Sequence, residues 1–93
     1  MTVMNPMGIH MRPADLLSRA AGQFQSQIEI EKDGQSIDCK SIMSILTLGA
    51  RQGTRLQIRA SGVDAKQAVD VLSELFNNGF DESASGMTSG PAN

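Results

Sequence analysis

Tryptophan and tyrosine are absent from the 93-residue chain, and phenylalanine occurs only three times. Eight basic residues stand against ten acidic ones, for a formal net charge of -2. The chain therefore lacks both the aromatic platform on which bases stack and the cationic footprint that follows a phosphate backbone, and nucleic acid is not an expected partner. Cys39, the single cysteine, cannot close an internal disulfide, and with His10 as the single histidine it falls short of the ligand set of a structural zinc site. No metal and no cofactor are expected, and the cysteine usage suits a reducing compartment. Long hydrophobic runs are missing as well. The longest, from Ile42 to Leu48, is broken by Ser44 and Thr47 and is far shorter than the roughly 18 residues of a membrane span. The opening Met1-Thr2-Val3-Met4-Asn5-Pro6 has neither the basic start nor the apolar stretch of a secretory signal. The expectation is a cytoplasmic protein that does not insert into membranes.

What is present suits one small domain. An apolar share of 40% with 19% charged residues supports a core without demanding a second one. No repeat is visible. Residues 1–80 read as the domain, and residues 81–93, rich in Ser, Gly and other small residues without apolar periodicity, as a disordered C-terminal tail.

From Met11 the spacing is helical, with Ala14, Leu17, Ala20, Ala21 and Phe24 on one stripe and Asp15, Ser18, Arg19 and Gln23 on the other. Pro13 marks its first turn, where a missing N–H is tolerated. Gln27-Ile28-Glu29-Ile30-Glu31 alternates as a half-buried strand, Asp33-Gly34 forms a two-residue hairpin loop, and Gln35 to Cys39 returns with Ile37 and Cys39 on one face. A further alternating run, Arg55 to Ala60, precedes a second long helix with Ala68, Val69, Leu72, Leu75 and Phe76 on one stripe. Asp64-Ala65-Lys66-Gln67 reads as a capping-box variant opening that helix, and Asn77-Asn78-Gly79 stops it. With Thr2 to Met4 as a short first strand, the order is strand, helix, strand, strand, short helix, strand, helix. Each strand has one polar face, so the fold class is α+β: an open-faced sandwich, a four-stranded antiparallel sheet with three helices on one side.

The short helix is the segment between Ser41, a good N-cap, and Gly49, a good stop. It carries Ile42, Met43, Ile45, Leu46 and Leu48, more apolar residues than the inner stripe of a two-turn helix accommodates. Some of them therefore face a partner, or else all are buried in a small core. The count alone serves both readings equally.

Gly8-Ile9-His10-Met11-Arg12-Pro13-Ala14 is the stretch with chemical content. His10 falls where the first helix begins, so the backbone N–H groups of Met11 and Arg12 lack helical acceptors and point toward its ring. A helix start disfavours an imidazolium and favours an added anion, and Arg12 contributes a guanidinium suited to phosphate oxygens. Taken alone, a histidine at such a position also serves as a surface or capping residue.

These two stretches, Gly8 to Ala14 and Lys40-Ser41-Ile42-Met43-Ser44-Ile45-Leu46-Thr47-Leu48-Gly49, occur in the order and at the separation seen in the HPr family of histidine phosphocarriers of the bacterial sugar phosphotransferase system, with Gln52-Gly53 following. The chain resembles that family over roughly Val3 to Phe80. The resemblance implies a sheet of four strands with three helices. It implies a carrier without turnover of its own, in which His10 takes a phosphoryl group on Nδ1 from enzyme I and passes it to a histidine of an enzyme IIA, with Arg12 and the Met11 and Arg12 N–H groups holding the phosphoryl oxygens. It further implies that Ser41 is a regulatory site for an HPr kinase/phosphorylase, and that Ile42, Met43, Ile45 and Leu46 form the partner surface of a monomer. Two departures accompany it: only nine residues precede His10, so the first strand is expected to be clipped, and Asp15 stands where many relatives carry a small uncharged residue, its carboxylate opposing a nearby phosphate unless Arg19 pairs with it. The competing reading is a regulatory binding protein that uses Ser41 phosphorylation without any sugar transport; the presence of both His10 and Arg12 favours the carrier.

Overall fold

A computed structural model describes residues 1–81. Its elements run α1 (Met11–Gly22), β1 (Gln27–Lys32), β2 (Gln35–Asp38), α2 (Ile42–Thr47), β3 (Gln57–Ser61) and α3 (Ala65–Asn77), closed by a 3-10 turn at Gly79–Asp81. The sheet is antiparallel with order β2-β1-β3. All three helices pack on the face that carries Ile28 and Ile30, with α3 over β3 and β1, α2 beside β2, and α1 against both other helices. The α+β sandwich with three helices is thus as the sequence predicts.

Three strands, not four, make up the sheet among the described residues. The segment expected as the first strand does run beside residues 53–56. Met1 and Leu56 exchange backbone hydrogen bonds of 2.7 Å, and the Val3 N–H donates to the Thr54 carbonyl at 2.9 Å. The ladder stops there because Thr54 turns its own N–H back to the Arg51 carbonyl, and the Gly53 N–H takes its place at the Val3 oxygen. Residues 53 and 54 thus both oppose Val3, a bulge that disrupts the ladder locally, and a single bridge, Thr2 to Arg55, remains.

Alternation explains β1: Ile28 and Ile30 are buried while Gln27 and Glu29 are exposed. On that wet face Arg59 pairs diagonally with Glu31. Asp33 and Gly34 both have positive φ, 51° and 85°, the mirror-image turn that matches strand twist. In α1 the buried stripe is Pro13, Ala14, Leu17 and Ala21, with Ala20 and Phe24 half-buried at its edge. Phe76 and Phe80 close the far end of the core, ring to edge at 4.9 Å.

The expected capping box at Asp64 does not form. Asp64 is the N-cap residue of α3 but makes no side-chain bond to that helix. Its carboxylate instead accepts from the N–H groups of Gln25 and Ser26, at 2.9 Å each, and from the Ser26 hydroxyl. The reason is the turn before it: a Cβ on Gly62 would lie 2.7 Å from the Ser26 Cα, so only glycine lets the two loops touch. Contact at this distance presents buried Ser26 donors to Asp64, and unsatisfied buried donors outweigh solvated helix ends. Of the expected tail, Asp81 belongs to the 3-10 turn and residues 82–93 lie outside the described residues. Among the described residues no helix is long and apolar enough to cross a membrane.

Candidate functional site

His10 is held by the loop that precedes it. Asn5-Pro6-Met7-Gly8 is a turn closed by the Gly8 N–H on the Asn5 carbonyl at 3.0 Å. Asn5 is fully buried, and its side-chain amide donates back to the Gly8 carbonyl at 2.6 Å. The Ile9 N–H donates to the Ala50 carbonyl at 2.9 Å, and Ile9 is buried. A chain pinned on both sides of Gly8 delivers His10 to the N-cap of α1 in extended conformation, with φ -96° and ψ -162°.

The first bond within α1 runs from the Ala14 N–H to the His10 carbonyl, at 3.0 Å. Pro13 has no N–H, so the donors without an acceptor inside the helix are those of Met11 and Arg12. The His10 side chain does not cap the helix, and Arg12 is exposed. The structure thus brings His10, the Met11 and Arg12 N–H groups and Arg12 to one helix start, where an imidazole nitrogen can take an anionic group that the helix dipole and the guanidinium favour.

Asp15 is one turn further on. Arg19 Nε is 3.0 Å from each of its carboxylate oxygens, so the charge opposing a phosphate is engaged from within α1. Among the described residues no group of three or more His, Cys, Asp or Glu is placed to hold a metal ion.

Ser41 is the N-cap of α2, and its Oγ accepts from the Ser44 N–H at 3.2 Å. It does not join His10. The end of α2 that meets the His10 loop is the other one, where Leu48, Gly49 and Ala50 lead to the Ile9 hydrogen bond. A six-residue helix separates the two ends by about 9 Å. Lys40, next to Ser41, is turned away: its ammonium donates to the Phe24 carbonyl past the end of α1, at 2.8 Å.

Of the four residues expected as a partner surface, the structure removes one. Ile45 is 1% exposed and belongs to the core, whereas Met43 is 67% exposed and Ile42 and Leu46 are half-buried. Two positions along a helix turn a side chain through about 200°, so Met43 and Ile45 cannot face the same way. Sequence reasoning also missed Asn5 and Ala50, and included Gly8 in the motif without its role; the three build the cradle. Asn, Pro and Gly at the first, second and fourth positions of a turn are the signal that was available at Asn5-Pro6-Met7-Gly8.

Comparison with known proteins matches residues 1–78 to the family described as the PTS HPr component phosphorylation site. The chain is 39% identical over 82 residues to the phosphocarrier protein HPr of Xylella fastidiosa strain Temecula1, covering 88% of this chain and 92% of that one. It is 36% identical to the phosphocarrier protein HPr of Cupriavidus necator, covering 87% and 91%. Among solved structures, the crystal structure of HPr-C-His from Thermoanaerobacter tengcongensis superposes with a TM-score of 0.85 at 39% identity, covering 88% of this chain and 92% of that one.

Proposed function

This chain belongs to the HPr family of phosphocarriers, and from that premise we propose that it relays a phosphoryl group through His10, from phosphorylated enzyme I to a histidine of an enzyme IIA. The observation that carries the reading is the placement of His10 at the start of α1 beside the Met11 and Arg12 N–H groups. In the step, the lone pair of a neutral imidazole nitrogen, Nδ1 by family analogy, attacks phosphorus while the bond to the donor's nitrogen breaks. Arg12 and the two N–H groups stabilise the charge on the equatorial oxygens. Onward transfer is the same step with the roles exchanged, so the protein is a stoichiometric carrier rather than an enzyme.

Met43, with Ile42 and Leu46, forms the surface that both partners bury, in a protein that acts in the cytoplasm as a single chain. Ser41 is the control point. A phosphate added there by an HPr kinase/phosphorylase sits beside that surface, and a partner must desolvate it to dock.

The test is labelling from phosphoenolpyruvate and enzyme I. One phosphoryl group per chain is expected, labile in acid and stable in base, and lost in His10→Ala. Label on the His10→Ala variant, or none on the wild type, overturns the carrier reading; label from ATP and kinase alone would favour the regulatory binding protein.

A further inference from the structure

Methionine is among the residues most often found fully buried in folded proteins, yet this core takes none. It is built from Val, Ile, Ala, Leu, Cys and Phe. Every methionine among the described residues is exposed: Met1 39%, Met4 55%, Met7 74%, Met11 59% and Met43 67%. Met7 and Met11 flank His10 in the chain, and Met43 is the most exposed residue among the apolar set of α2. Cys39, the other sulfur, is inaccessible at 0% exposure, and burial, with Asp38 adding to it, pushes its thiol up to about 12. Thiolate is the reactive form of cysteine, so an oxidant in solution meets thioethers here and not a thiolate.

We propose that Met7, Met11 and Met43 are modification sites whose reversible oxidation to sulfoxides blocks docking at the His10 surface while leaving the fold intact. The proposal rests on the carrier reading above and adds a control to it. The oxidant is a hydroperoxide. The sulfur lone pair attacks its terminal oxygen, the S–O bond forms as the O–O bond breaks, and the proton of that oxygen passes to the departing group, which leaves as water or an alcohol. Sulfur is oxidised and the peroxide reduced. In the return step a dithiol becomes a disulfide and the oxygen leaves as water.

A thioether is soft and apolar and adapts to differently shaped partners. A sulfoxide oxygen is a hydrogen-bond acceptor that a docking partner must strip of water, which slows transfer by about tenfold or more. Because no described methionine is in the core, the same oxidation leaves the core packing in place.

The experiment exposes the full chain to hydrogen peroxide, locates the added oxygen by peptide mass, and measures melting and enzyme I-dependent labelling before and after. Oxygen on Met7, Met11 and Met43, unmodified Cys39, an unchanged melting temperature and labelling slowed about tenfold are expected. Methionine sulfoxide reductase with a dithiol should restore the rate. The combined Met7→Leu, Met11→Leu, Met43→Leu variant should keep after peroxide whatever rate it had before it. Full-rate labelling of the oxidised protein, loss of folding on oxidation, or an equal slowing of the leucine variant overturns the proposal while the carrier reading stands. Absence of labelling before any peroxide is added overturns the carrier reading, and this control with it.

Discussion

Gly8 packs so closely on Ala50 that a Cβ built on it would lie 2.4 Å from the Ala50 carbonyl oxygen, and its φ is +69°. Both the space and the backbone conformation demand glycine. Gly8→Ala should therefore destabilise the fold by at least about 2 kcal/mol, lowering the melting temperature on the order of 10 °C. Because the strain falls between the Asn5 anchor and His10, labelling of the fraction still folded should slow as well. Calorimetry with labelling below the new melting temperature checks both.

Arg12 is exposed and takes no part in the core, so its removal should act on transfer and not on folding. Loss of a charge-assisted contact to the moving phosphoryl group predicts a rate lower by roughly ten- to a hundredfold for Arg12→Ala. Arg12→Lys, which keeps the charge without the planar fork, should recover only part of it. Rapid-quench transfer from phosphorylated enzyme I separates the three proteins, and a rate for Arg12→Ala within twofold of wild type would falsify the role given to this residue.

Met43 and Ile45 are near neighbours in α2 on opposite sides of it, one exposed and one buried. Met43→Glu should melt with the wild type and lose affinity for enzyme I. Ile45→Glu buries a carboxylate without a partner and should unfold the chain or cost several kcal/mol. Thermal melting paired with binding by titration calorimetry distinguishes a surface position from a core one.

Asp64 ties the loop before β1 to the start of α3, and the Ser26 hydroxyl, followed by the Gln25 N–H, holds its carboxyl below the ordinary value of 3.8. A carboxyl with a lowered folded value contributes stability that is complete above the ordinary value and disappears as pH falls through the folded one. Asp64→Asn should thus melt below wild type at pH 7, and the gap should close as the pH is taken down past about 4. A gap of the same size at neutral and acid pH would show that the carboxylate charge is not what Gln25 and Ser26 use.

Ser41 caps α2 through its hydroxyl oxygen. An aspartate is an equally good N-cap, so Ser41→Asp should leave the melting temperature unchanged while slowing labelling by enzyme I through the charge placed beside Met43. Lys40 is committed to the Phe24 carbonyl, and Lys40→Met should accordingly leave that slowing intact. A deeper slowing in the double variant would mean that in Ser41→Asp the ammonium had left Phe24 to pair with the new charge.

Elements whose signal is local were legible in the sequence. The alternation at Ile28 and Ile30, the Asp33-Gly34 turn, the Pro13 start and the Ser41 cap all appear where their residues predict them, because each depends on neighbours a few positions away. What was not legible depends on distant chain. Asp64 has the residue type of a helix cap, yet it serves donors 38 and 39 positions away, which no spacing rule reports. Lys40 looks like a companion of Ser41 until Phe24 is placed beside it. The first strand reads as a strand, and only the turn of the Thr54 N–H toward Arg51 ends its ladder. Of the site, His10 and Arg12 were visible as residue types, whereas the Asn5, Gly8 and Ala50 cradle exists only once residues 5–9 and 50 meet.

The sheet order has a consequence for how the chain is assembled in time. β1 is the middle strand, flanked by β2 immediately after it and by β3 at a separation of some 30 residues. The β1–β2 hairpin closes on a microsecond scale, whereas a ribosome adds only about 5–20 residues each second. During synthesis the hairpin therefore waits for seconds with one side of β1 unpaired and with Ile28 and Ile30 uncovered. The most protected strand of the finished molecule spends its early life as an edge open to any other chain.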